Sequence, residues 1–169
     1  GNPGPRFQLT RHNAGYHVVD ILMQQPPVAF HRRFFSPYFH YIFPGSDEIP
    51  PLILVRYKGY MNRSGEVVPA LKKHLDFKKE TFFVILDNMD LEPGICRLKR
   101  GGGDAGHNGL KSLIQHIGDG DFHRIYIGIG RPDTGKSVVD HVLGEPEGES
   151  SAAIVKACFR AAAAEREMP

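Results

Sequence analysis

The segment Phe82-Phe83-Val84-Ile85-Leu86, closed by Asp87, constrains the fold more than any other stretch of the chain. Five aromatic, β-branched or aliphatic residues without a polar break read as a strand covered on both faces, and such a sheet needs helices above and below it. The flanking sequence supplies them. Asn13–Gln24 carries Ala14, Val18, Ile21 and Leu22 at helical spacing and stops at Pro26-Pro27. A short helix over Gly65–Leu75 is introduced by Asn62 or Ser64, and others are predicted over Asn108–Ile117 and Val138–Leu143. A last helix, Ser150–Glu167, places Ala153, Ile154, Ala157 and Cys158 on one side. Val28–Phe35 and Tyr38–Phe43 suit an aromatic-rich hairpin, followed by strands at Pro51–Tyr57, Ile95–Arg100 (apolar and basic by turns, so wet on one side) and Phe122–Ile129. The alternation predicts a single α/β domain over residues 1–169: a three-layer sandwich whose mixed, mostly parallel sheet is flanked by helices.

Composition excludes several classes. A chain of 169 residues with 41% hydrophobic and 24% charged residues can bury a core without staples. Its longest apolar runs fall far short of the ~20 residues a membrane helix requires, so no membrane partner is expected. Cys96 and Cys158 match no metal or redox spacing and suit a reducing compartment. A net charge of +2 gives no global case for nucleic acid. Between Arg97 and Arg131, however, six Lys/Arg stand against three Asp, a local basic face able to hold phosphates. The chain opens Gly1-Asn2-Pro3-Gly4, where a targeting signal is neither found nor excluded; the expected setting is the cytoplasm or an organelle (mitochondrial or plastid) matrix.

Two nucleotide-binding patterns match formally. Gly130–Ser137 fits G-x-x-x-x-G-K-[ST], but the helix after it lasts about two turns, and the apolar strand ending in Asp87 precedes the loop instead of following it. Gly101–Gly106 fits G-x-G-x-x-G, yet Asp119 and Asp121 come before the next strand, where a dinucleotide site wants an acid at its end. A backbone that must approach something closely explains those glycines equally well. There is no G-x-S-x-G, H-E-x-x-H or C-x-x-C, and neither metal nor cofactor is expected.

What remains is a set of His, Asn and Asp residues at turns. His12 stands at a loop-to-helix junction, Asn2 in the opening turn, Asn62 in Tyr60–Gly65 and Asn108 in Gly106–Gly109, while Asp87 ends the most apolar strand. Asn13, Asn62 and Asn108 each also suit a helix cap. Together these residues fit one chemistry. An imidazole can take a proton from water near neutral pH. A carboxylate on its other nitrogen fixes the tautomer and raises its basicity. Asn amides steady water and a developing oxyanion without titrating. Water attacking an activated ester is the reaction such a set serves best.

Seven blocks in order resemble the bacterial-type peptidyl-tRNA hydrolase family: GNPG (1–4), TRHNAG (10–15), YMNRSG (60–65), DNMDLEPG (87–94), GGGDAGHNGLKS (101–112), GIGRP (128–132) and VVDHVLG (138–144). The resemblance implies a metal-independent monomeric enzyme of translation and ribosome-associated quality control. Such an enzyme hydrolyses the ester between peptide and tRNA and so recycles tRNA. It implies His12 as the water-activating base, Asp87 as its support, and Asn2 as the group contacting the peptide. Asn62 and Asn108 are implied to bind the substrate's 3′ end, with Phe7 and Tyr60 lining the cleft. Arg97, Lys99 and Arg124 are implied to grip RNA phosphates.

Three departures stand out. Phe7 replaces an expected tyrosine, Tyr57-Lys58-Gly59 replaces the usual approach to Met61-Asn62, and the family's first strand is expected to precede Gly1. These departures leave a second expectation, a catalytically retired paralogue serving as an RNA-binding or ribonucleoprotein-assembly module.

Overall fold

The computed structural model describes residues 1–24, 29–31, 36–43 and 51–166. Helix α1 (Ala14–Met23) follows a 3₁₀ turn at Arg11–Asn13. Strands β1 (Ala29–His31), β2 (Tyr38–Phe43) and β3 (Leu52–Tyr57) then form an antiparallel meander, with Ala29 opposite Ile42 and Tyr38 opposite Tyr57. Parts of the expected Val28–Phe35 strand lie outside the described residues.

A 3₁₀ segment, Met61–Val67, leads into α2 (Val68–His74), where one helix over Gly65–Leu75 was expected. Neither Asn62 nor Ser64 caps it; the Ser64 hydroxyl instead donates to the Met61 carbonyl at 2.6 Å. Beyond lie β4 (Phe83–Asn88), β5 (Cys96–Arg100), α3 (Asn108–Ile117), β6 (His123–Gly128), α4 (Val138–Leu143) and α5 (Gly148–Arg166).

The second sheet has the order β4-β6-β5. It is mixed, but parallel pairing is confined to β4 and β6. The turn through Met89–Ile95 reverses the chain, so β5 enters antiparallel to β6. Parallel content is therefore smaller than strand–helix alternation suggests. Because β4 lies at the edge of this sheet among the described strands, Phe83, Val84 and Ile85 are only half-buried, while Leu86 and Asp87 at its end are buried.

Helices cover both faces of this sheet. On one side α1 (Ala14, Val18, Leu22) and α5 (Ile154, Ala157) pack on Ile125 and Ile127. On the other, α2 (Val68, Leu71) and α3 (Leu110, Leu113) pack on Leu86, Phe122 and Tyr126. Each such aliphatic side chain taken from water contributes roughly 1.5–3 kcal/mol. The C-terminal end of β4, between the two helical layers, carries Asp87.

Candidate active site

The turn bearing His12 is fixed from behind. The Thr10 hydroxyl donates to the Phe7 carbonyl at 2.8 Å, and the Arg11 amide donates to the Gly144 carbonyl at 3.1 Å. Arg11 Nη1 also donates to the His141 carbonyl at 3.3 Å, which ties the end of α4 to the base of the turn. The next residue, His12, is thereby aimed at the end of β4.

His12 Nδ1 lies 2.8 Å from Asp87 Oδ1 and 2.9 Å from Oδ2. The Asp87 carboxylate can only accept when ionised, so these contacts assign the His12 proton to Nδ1 and leave Nε2 bare. Burial of Asp87 alone would push its carboxyl up. Hydrogen bonds from His107 and His12, with their charge, overturn that and hold it well below the usual carboxylate range. The result is an oriented imidazole with an open nitrogen, the arrangement of a general base.

Asn2 is held by a reciprocal pair with Asn13. Its amide donates to Asn13 Oδ1 at 2.6 Å, and Asn13 Nδ2 donates back to its carbonyl at 3.0 Å. Asn2 Oδ1 then accepts the Met61 amide at 2.9 Å, leaving Nδ2 as the donor its side chain has to offer. Asn13 makes no side-chain cap to α1, so its buried amide serves this clamp instead.

Met61 passes the connection on to α3. A Cβ on Gly109 would stand 2.7 Å from Met61 Sδ, so only glycine lets the two segments touch, and Gly65 N donates to Ser112 Oγ at 3.0 Å beside them. This packing puts Asn62, next to Met61, and Asn108, next to Gly109, on adjoining exposed positions. Asn108 does not cap α3; that role belongs to His107, whose Nδ1 accepts from the Leu110 amide. Phe7 and Tyr60 meet edge to face, centroids 6.5 Å apart and 88° between planes, with Tyr60 exposed.

Arg97 and Lys99 are exposed on β5, opposite Tyr126 and Arg124 in register. Arg124 itself overturns the expectation of a phosphate contact. It is fully buried, its guanidinium donating to the carbonyls of Gly103 (2.6 Å), Gly120 (2.9 Å) and Gly102, and lying over the Phe122 ring. The clamp accounts for one glycine of the run. Gly102 sits at φ +107°, which turns its carbonyl inward to the guanidinium. Arg124→Ala is expected to lower stability by about 2–4 kcal/mol, since three carbonyls lose a charged donor; denaturant unfolding measures it.

The phosphate-loop pattern is likewise absorbed by structure. Ser137 Oγ accepts the Asp140 amide at 3.0 Å and donates to its carboxylate at 2.7 Å, capping a six-residue helix.

One residue that the sequence did not single out, His107, joins the centre. Its Nε2 lies 3.2 Å from Asp87 Oδ1, and its ring centroid is 5.1 Å from that of His12. A histidine directly before a helix that opens beside the end of a buried strand was the available signal. His12, Asp87 and His107 offer ligand atoms within 4.8 Å of one another. Both ring nitrogens lie within hydrogen-bond reach of the same carboxylate, so the three side chains form one hydrogen-bonded cluster.

Fold and site together define an α/β protein in which a buried carboxylate at the end of a strand orients a partly covered histidine. Residues 1–168 match the Peptidyl-tRNA hydrolase family. The peptidyl-tRNA hydrolase of Geobacillus kaustophilus is 42% identical over 162 residues, covering 96% of this chain and 86% of that protein. That of Bacillus subtilis is 41% identical over 165 residues, covering 94% and 86%. The crystal structure of peptidyl-tRNA hydrolase from Acinetobacter baumannii superposes with a TM-score of 0.86 at 34% identity, over 96% of this chain and 82% of that one. The chain belongs to the peptidyl-tRNA hydrolase family.

Proposed function

We propose that this protein hydrolyses the ester joining a peptide to the 3′ end of tRNA, with His12 as the base that activates water. The observation that carries the assignment of roles is the bond between His12 Nδ1 and the buried Asp87 carboxylate, which leaves Nε2 open to solvent chemistry. His12 Nε2 takes a proton from water as its oxygen bonds the acyl carbon. The oxyanion is met by amide donors from Asn2, Asn62 and Asn108. The C–O bond to the ribose then breaks, the imidazolium returns its proton to the departing 3′ oxygen, and the peptide leaves as a carboxylic acid that gives its remaining proton to solvent. Phe7 and Tyr60 offer apolar ring surface for the substrate end at the mouth of the site.

Arg97 and Lys99 supply the phosphate-facing charge, and the protein acts as a monomer. Lys99→Ala is expected to reduce the slope of log binding constant against log salt by about one unit, with catalysis on bound substrate unchanged. Titrating tRNA at several salt concentrations measures it, and an unaltered slope removes Lys99 from the footprint. Release of N-blocked amino acid from aminoacyl-tRNA tests the activity itself. A turnover-competent chain eliminates the assembly-module reading; RNA binding without release would reinstate it.

A further inference from the structure

We infer that His107 is a positioning residue for the His12–Asp87 pair: α3 locks its tautomer so that its Nε2–H occupies Asp87 and fixes the carboxylate for His12. This rests on His12 being the base. The Leu110 amide can only donate, and it donates to His107 Nδ1 at 3.2 Å, so that nitrogen is bare and the ring proton resides on Nε2. Nε2 in turn lies 3.2 Å from Asp87 Oδ1, the oxygen that His12 approaches at 2.8 Å.

The backbone secures the ring as firmly. The His107 amide donates to the Asp104 carbonyl and its own carbonyl accepts from Lys111, both at 2.9 Å. Two groups of opposite role face the ring, Asp87 from β4 and His12 from the 3₁₀ turn. With a second donor on Oδ1, rotation of the carboxylate would break two bonds at once. The helix that carries Asn108 is thereby joined through a single imidazole to the residue that orients the base. A residue placed only to cap α3 would not need its far nitrogen on a buried carboxylate.

Two substitutions separate the cap from the donor. His107→Asn keeps an acceptor for the Leu110 amide, asparagine being a favoured cap, but is too short to reach Asp87. His107→Gln extends an amide donor toward Asp87 and gives up the cap. If His107 positions the pair, His107→Asn lowers kcat on the order of 10–100-fold with KM nearly unchanged, the usual scale for one lost hydrogen bond to a charged group. His107→Gln then turns over faster than His107→Asn despite a lower Tm. Wild-type kcat in His107→Asn, or a His107→Gln enzyme no faster than it, overturns the inference. So does a ¹⁵N NMR spectrum showing His107 protonated on Nδ1. His12→Ala run alongside isolates the underlying reading: if it stays active, the base assignment itself fails.

Discussion

His12→Ala is expected to lower turnover by roughly 10²–10⁴-fold, the range set by removal of a general base, while tRNA affinity barely moves. The separation follows from where His12 sits. Its ring is largely covered and engages Asp87, whereas Arg97 and Lys99, the cations proposed to meet phosphate, are exposed on β5. The turn itself should survive the substitution, because Thr10 and Arg11 hold it through bonds that do not involve the imidazole. Single-turnover hydrolysis of N-blocked aminoacyl-tRNA, beside an equilibrium binding titration, gives both quantities. Equal losses in rate and affinity would move His12 from chemistry to binding.

Asp87→Asn should be as costly to the rate, on the order of 10²–10⁴-fold, for a different reason. Two imidazole N–H groups converge on this carboxylate, and an asparagine has one oxygen to meet them; its amide would confront the other ring with donor against donor. His12 must then turn or change tautomer, and the open Nε2 is lost. The same residue predicts a pH dependence of stability. Its carboxyl is held below its unfolded value, so its contribution is fully present above about pH 4 and is lost as pH falls through the lower folded value. The stability gap between wild type and Asp87→Asn should therefore be widest near neutrality and shrink in acid. Denaturant melts from pH 7 to 3 measure it, and a gap that stays constant would mean Asp87 carries no such linkage.

Much of the local structure was legible in the chain. The predicted Asn108–Ile117 and Val138–Leu143 helices match α3 and α4 residue for residue; an apolar period marks the first, and a glycine follows each. The pairing of His12 with Asp87 was legible too, from a histidine at a helix junction and a carboxylate ending an apolar strand. Three things were not. Strand order depends on how the Met89–Ile95 turn reverses the chain, which hydrophobic pattern does not encode. Arg124 looked like a phosphate ligand because sequence counts charge and not exposure; on β6, alternate residues face α3, and its partners are carbonyls 21 and 22 residues upstream plus Gly120 nearby. Asn13 read as a helix cap because local propensity favours that role, yet its partner is the backbone of Asn2, eleven residues away.

The buried guanidinium has a consequence for how RNA would sense this face. Arg124 meets carbonyl dipoles and an aromatic ring, with no carboxylate among its hydrogen-bonding partners. Lys99 stands opposite it in register on β5, so a buried and an exposed cation share one face of the sheet. Counterions are displaced only by cations that touch phosphate, so a cation buried like Arg124 would not register in the thermodynamic count of ions released.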